Sequence, residues 1–229
     1  MGSGLEYLTD QERVFRDRRA AGEALAIALQ RYGGSDTLVL GLPRGGVVVA
    51  AEVARRLGAE LDVLVARKLG SPVSAELAIG AVTANGGRFL NDAVIDELGV
   101  SEPYIAAVTR VQRAEAQRRE VLFRGDRPRP RITGRTVIVV DDGLATGATM
   151  RAAVRSARRE RPGRLIVAVP VGSREACGAL REEADEVVCL HEPAAFGAVG
   201  TWYRHFEQTE DSEVQRLLDE FSAPARGPA

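Results

Sequence analysis

Apolar runs of strand length recur along this chain, and helix-length segments separate most of them. The runs fall at 38–41, 61–66, 77–82, 137–140, 165–169 and 187–190, and several have no polar face at all. A strand buried on both faces belongs in the middle of a parallel sheet, because only crossover helices can cover both sides. Helical patterns at 10–32, 46–57, 102–123, 146–160 and 174–184 supply those crossovers, and a short amphipathic segment at 213–221 closes the chain. Ser101 and Ser173 are expected N-caps, with Pro103 early in its helix. The pattern predicts an α/β fold, a mostly parallel twisted sheet flanked by helices. A length of 229 residues, 45% of them apolar, is enough for one large core. That core is expected over 10–191, including a charged helical insertion at about 91–131, and 192–221 is expected to form a small hood. No internal repeat is present, and the opening MGSG is set aside as a cloning scar.

Charge and composition narrow the function classes. Lys and Arg number 31 and Asp and Glu 32, so bulk electrostatics do not favour nucleic acid or a membrane as partner. No apolar stretch approaches the roughly 18 residues of a membrane span, and no leader pattern opens the chain, so a cytoplasmic location is expected. Cys177 and Cys189 lie in apolar settings without a CxxC spacing and are expected as buried free thiols.

Residues 137–149 read VIVVDDGLATGAT. In a parallel sheet, ligands gather beyond the carboxyl ends of the strands, where loops lead into helices. Asp141 and Asp142 sit at such an end, and the small residues after them let backbone N–H groups close on an anion while threonine hydroxyls add donors. The loop therefore reads as a phosphate cradle. Two carboxylates beside it need vicinal hydroxyls or a hydrated cation as partners, and a ribose 5-phosphate meets both demands. The GK[ST] ending of a Walker loop and the GxGxxG of a dinucleotide site are both absent.

This stretch resembles the phosphoribosyl-diphosphate signature of the type I phosphoribosyltransferases. The resemblance implies that Asp141 and Asp142 face the ribose hydroxyls, and that Ala145, Thr146, Gly147, Ala148 and Thr149 wrap the 5-phosphate. In GLPRGGVVVA, residues 41–50, an arginine stands between a proline and two glycines, which suits bidentate contact with a diphosphate on a closely approaching backbone. The family's diphosphate loop occupies this place, so Pro43, Arg44, Gly45 and Gly46 become site residues, and a non-proline cis peptide near Arg44 is in keeping with it. In ARKLGSPVSAELAIGAV, Arg67 and Lys68 close the second strand on the same sheet edge, where Lys68 is expected to reach the leaving diphosphate. The proline-bearing stretch 70–75 is the expected mobile cover, shorter than in the family.

Segments near both termini extend the resemblance to a subgroup of stand-alone bacterial phosphoribosyltransferase-like proteins. The family's hood binds the acceptor, which makes Phe196, Trp202, Tyr203 and Phe206 the aromatics to consider for stacking, Trp202 first, while His191 and His205 read as structural. Ala145 stands where members acting on 6-oxopurines carry an acid, so the sequence leans away from them. Glu76 is placed near the base-contacting glutamate of adenine-type members.

The resemblance implies a Mg²⁺-dependent transfer of ribose 5-phosphate from phosphoribosyl diphosphate to a nucleobase-like nitrogen, as in nucleotide salvage. Asp141 and Asp142 would hold the metal directly or through water, and Arg44 and Lys68 would stabilise the departing diphosphate. A homodimer is compatible with this reading. Between Arg110 and Arg135, nine arginines stand against three acids. The expected role is a solvated basic helix face followed by a linker. The rival reading is a non-catalytic regulator that senses phosphoribosyl diphosphate and binds nucleic acid through this strip. A non-catalytic dimeric scaffold is a third.

Overall fold

The computed structural model of the chain describes residues 14–75 and 77–221. Five strands form a parallel sheet: β1 (Thr37–Gly41), β2 (Glu60–Val63), β6 (Thr136–Val140), β7 (Arg164–Val171) and β8 (Glu186–His191). Their spatial order is β2-β1-β6-β7-β8. A second sheet is antiparallel, ordered β3 (Ala66–Gly70), β4 (Ala78–Thr83), β5 (Arg88–Leu90). Among the described residues, seven α-helices accompany them: α1 (Arg18–Ala28), α2 (Gly45–Leu57), α3 (Asp92–Leu98), α4 (Glu102–Arg124), α5 (Ala148–Arg159), α6 (Arg174–Arg181) and α7 (Asp211–Glu220).

The parallel strands are apolar on both faces because both faces are covered. Val39, Ile138, Val140 and Ile166 pack with Leu25, Val49, Val53 and Leu217 of α1, α2 and α7. The alternate residues Leu38, Leu40, Val137, Val139 and Val167 pack with Met150, Val154, Cys177 and Leu180 of α5 and α6. Fully burying a large aliphatic side chain stabilises by about 1.5–3 kcal/mol, so this two-sided core dominates the energetics.

The structure corrects several expected boundaries. The apolar run at 61–66 is not one strand. β2 ends at Val63 and β3 starts at Ala66 in the other sheet, with Leu64 N–H donating to Gly41 O at 3.1 Å on the way. Arg67 and Lys68 are therefore residues of an antiparallel strand, not the end of a parallel one. The run at 77–82 is likewise antiparallel, as β4. Hydrophobic runs report burial, and both sheets bury theirs: Leu69, Ile79 and Val82 pack against Ile105 of α4, while Ala81 and Phe89 pack against Ala148 and Ala152 of α5.

Three helix ends also move. α1 starts at Arg18, where Asp17 Oδ1 accepts from Ala20 N–H at 2.8 Å and satisfies an orphan donor. Residues 10–13 of the expected helix lie outside the described residues. α5 starts at Ala148, behind Gly147 at φ 75°, and α6 stops at Arg181. The short strand β5 escaped sequence reasoning, and α3 falls within the helical insertion expected at about 91–131 as a separate helix, which Asn91 caps from Oδ1 and Gly99 ends at φ 59°. No helix among the described residues is long and apolar enough to cross a membrane.

Candidate functional site

The sheet order reverses between β1 and β6, where chain on one side runs to β2 and on the other to β7. At such a switch point adjacent loops part and leave a crevice. Gly41 stands opposite Val140, and Leu42 N–H donates to Val140 O at 2.9 Å just before the loops diverge. One loop carries Pro43 and Arg44, joined by a cis peptide, into Gly45 and α2. The other carries Asp141 and Asp142.

The two loops touch, which explains their glycines. A Cβ on Gly45 would lie 2.0 Å from Asp142 Oδ2, and one on Gly46 would lie 2.8 Å from both Asp141 Cα and Asp141 Oδ1. Only residues without side chains leave the carboxylates where they are.

The acids have different surroundings. Asp142 N–H donates to Asp141 Oδ1 at 2.8 Å. Burial first, and the neighbouring Asp142 carboxylate second, push the Asp141 carboxyl well above its ordinary range. Asp142 instead meets a cation: Arg18 Nε donates to Asp142 Oδ2 at 2.7 Å, with the two side chains only 12% and 16% exposed. Arg18 also donates from Nη1 to Glu207 O at 2.7 Å and lies 3.8 Å over the Phe206 ring. Tyr203 donates its hydroxyl to Asp142 O, and burial raises the Tyr203 phenol. Two oxygen-rich carboxylates at one strand end form a donor set that fits a hard cation such as Mg²⁺.

Ala145 and Thr146 are exposed, Gly147 and Ala148 are buried, and Thr149 is half-buried in the first turn of α5. The opening N–H groups of a helix have no partner within it, so this turn presents donors to whatever lies before it. The loop is braced from behind, because Ser173 donates from Oγ to Ala145 O at 2.7 Å and from N–H to Leu144 O at 2.8 Å.

Thr149 also lines a cleft of about 580 Å³ whose other walls include Arg67, Lys68, Ser71, Tyr104 and Gln112. The small sheet and α4 thus face Thr149, in the first turn of α5, across open space. Lys68 is exposed, and Arg67 is held by Nε donation to Gln112 Oε1 at 3.2 Å. Arg44 turns towards the C-terminal segment, its Nη1 3.5 Å from Asp211 Oδ1 and its guanidinium against the Gln208 amide.

The structure brings Pro43–Gly46, Asp141 and Asp142 together, and of the 145–149 loop it sets Thr149 in one cleft with Lys68. Trp202 is a correction. It is 6% exposed, packs with Ala21, Val171 and Tyr203, and donates its indole N–H to Phe196 O at 2.9 Å, so it presents no free face for a base. Glu76 lies outside the described residues. His205 is exposed, 3.8 Å from Glu207, and His191 lies against Phe15. The Arg-rich strip is largely committed internally: Arg118 and Arg119 pair with Glu115, Arg124 with Asp62 and Glu120, Arg129 with Glu120, and Arg135 with Glu60.

Sequence reasoning missed Arg18, which binds Asp142, and the role of Tyr203 as a clamp on its backbone. The only available signal for Arg18 was the need of a half-buried acid for a cation, and that does not say which arginine answers it.

The sequence matches the family model described as a phosphoribosyl transferase domain over residues 10–205. Two Mycobacterium tuberculosis proteins, provisionally named phosphoribosyl transferases, are each 49% identical over 207 residues, covering 90% of this chain and 47% of theirs. The chain thus spans about half the length of these curated relatives. TT1426 from Thermus thermophilus, a solved structure, is 46% identical with a TM-score of 0.77, covering 91% of this chain and 99% of its own. AQ2163 from Aquifex aeolicus, 11% identical with a TM-score of 0.52 over 81% of this chain and 84% of its own, shares the fold alone.

Proposed function

The chain belongs to the phosphoribosyl transferase domain family, and from that premise we propose that it transfers ribose 5-phosphate from phosphoribosyl diphosphate to a nucleobase-like ring nitrogen, releasing diphosphate. The observation that carries this reading is the contact of Gly45 and Gly46 with Asp142 and Asp141 at the β1/β6 switch point, next to the N-terminal turn of α5.

In this reading, N–H groups and hydroxyls of Thr146–Thr149 hold the 5-phosphate, as helix N-termini do for anions. Asp141 and Asp142 accept hydrogen bonds from the ribose hydroxyls. Arg18 fixes Asp142 so that its carboxylate is already oriented when the sugar arrives. Lys68 and Arg67 approach the diphosphate across the cleft, and the backbone at Gly45 and Gly46 admits it closely. Mg²⁺, which Asp141 and Asp142 would hold directly or through water, supplies charge neutralisation to the sugar diphosphate when bound. The acceptor enters the cleft beside Tyr104 and Gln112, and its nitrogen displaces diphosphate at the anomeric carbon. Positive charge that develops on the sugar is met by the acidic pair.

The test is calorimetric titration with phosphoribosyl diphosphate and Mg²⁺, followed by a panel of nucleobases. Saturable binding with turnover on one base supports the reading, and the Asp141→Asn/Asp142→Asn variant is expected to bind at least about tenfold more weakly, about 1.4 kcal/mol. Unchanged affinity in that variant would overturn the site. Binding without turnover on any base would favour a sensor of the sugar diphosphate.

A further inference from the structure

Behind the phosphate-loop brace, two thiols and a carboxylate converge from α6 and from the end of β8. Cys177 lies in the first turn of α6 and is fully buried, and Cys189 lies half-buried on β8. Glu192 follows directly after β8. One ligand atom from each residue lies within 4.8 Å of the other two. Gly172 makes room for both sulfurs, since a Cβ there would lie 2.6 Å from Cys177 Sγ and 3.3 Å from Cys189 Sγ. Glu192 is held in place by an ion pair with Arg181 and by Arg174, whose Nε donates to the Glu192 carbonyl at 3.3 Å.

We propose that Cys177, Cys189 and Glu192 form a site for a soft divalent cation of the zinc class, with a solvent-facing fourth position for water. Tetrahedral zinc takes sulfur at about 2.3 Å and carboxylate oxygen at about 2.0–2.2 Å, which sets ligand atoms roughly 3.3–3.8 Å apart. The three ligand atoms lie within 4.8 Å of one another, and a bound ion is expected to draw them into that spacing. Two thiolates select against Mg²⁺ and Ca²⁺, which keeps this site chemically separate from the acidic pair at Asp141 and Asp142. Three anionic ligands on a divalent ion leave one negative charge, and Arg181 stands beside it. Its pairing with Glu192 is the outer-shell contact that orients a ligating carboxylate.

The position gives the ion a task. Cys177 N–H donates to Ser173 O at 3.0 Å, and Ser173 is the residue that braces Ala145 and Leu144. An ion joining Cys177 to Cys189 and Glu192 clamps α6 to β8 and holds that brace under the 144–149 loop.

The experiment uses the full chain, reduced, freed of metal with a chelator and titrated anaerobically with Co²⁺ as a zinc surrogate. One equivalent is expected to produce the thiolate-to-cobalt charge-transfer band with tetrahedral ligand-field absorption, and one equivalent of Zn²⁺ is expected to bleach both. Co²⁺ at the acidic pair gives no thiolate band and so cannot mimic this site. Cys189→Ser is expected to abolish the band, and Glu192→Gln to weaken Co²⁺ binding at least tenfold. Zn²⁺ is expected to raise the melting temperature of the parent chain and not of Cys189→Ser. The proposal is overturned if no thiolate band appears with Co²⁺ up to 100 times the protein concentration, if the band survives in Cys189→Ser, or if Glu192→Gln binds as the parent does. It is also overturned if the titration only converts the two thiols into a disulfide, seen as loss of both free thiols without bound metal.

Discussion

Arg18 Nε donates to Asp142 Oδ2 at 2.7 Å, so the first residue of α1 grips an acid 124 positions away at the end of β6. Both side chains are largely withdrawn from water, and the same guanidinium ties down Glu207 O and covers Phe206. One arginine thus joins the start of the chain, the acidic pair and the C-terminal segment.

Removing one partner of a buried ion pair leaves the other charge uncompensated and costs about 3–5 kcal/mol. Arg18→Met is accordingly expected to lower unfolding stability by about 3 kcal/mol, measured from urea midpoints by circular dichroism. Arg18→Lys keeps the charge, loses the fork that reaches Glu207, and should fall between the two. A midpoint unchanged in Arg18→Met would show that Asp142 is stabilised by other means.

Gly45→Ala adds a single methyl group 2.0 Å from Asp142 Oδ2 and 2.5 Å from Arg18 Nε. The carboxylate and guanidinium must both shift. The expected result is a folded protein, with a native far-ultraviolet spectrum, whose affinity for phosphoribosyl diphosphate drops at least about tenfold, about 1.4 kcal/mol. Native affinity in calorimetry would mean the loop opens without consequence for the ligand.

Asp17 gives a pH dependence with a defined sign. Its carboxylate accepts from Ala20 N–H at the head of α1, and that hydrogen bond, followed by the one from Arg16, holds its pKa below the ordinary 3.8. A depressed carboxyl contributes stability above its unfolded pKa, and the contribution disappears as pH falls through the folded value. Asp17→Ala should therefore cost about 1 kcal/mol at pH 7, the usual worth of an N-cap. The gap between variant and parent should narrow below pH 3.8, and a gap independent of pH would contradict the cap.

The Arg-rich strip makes a further prediction. With Arg118, Arg119, Arg124, Arg129 and Arg135 all paired to carboxylates, few guanidinium groups are left to displace counterions from a polyanion. Fluorescence anisotropy with labelled RNA and duplex DNA at physiological salt should show no binding at micromolar protein. A steep salt-dependent affinity would instead point to Arg110 and Arg131.

Much of the architecture was legible in the residues. The runs at 38–41, 137–140 and 165–169 are apolar on both faces, and that property alone requires a covered parallel sheet. The position of Asp141 and Asp142 at the carboxyl end of a strand, ahead of a small, threonine-bearing loop that leads into a helix, was legible as well. The glycines at 45 and 46 were legible as a close approach.

What they approach was not. Neighbouring strands are chosen by packing over the whole sheet, so only the fold reveals that β1 and β6 adjoin and press Gly45 and Gly46 against the acids. Burial has no direction along the chain, and for that reason the run at 61–66 concealed a change from one sheet to the other. Trp202 illustrates the same limit: an aromatic ring stacks on a ligand or packs inward for the same hydrophobic gain, and the surroundings of Ala21, Val171 and Tyr203 turned it inward. Arg18 and Asp142, or Cys177 and Cys189, carry no mutual signal in sequence, since pairs of polar groups at long separation are matched by tertiary geometry alone.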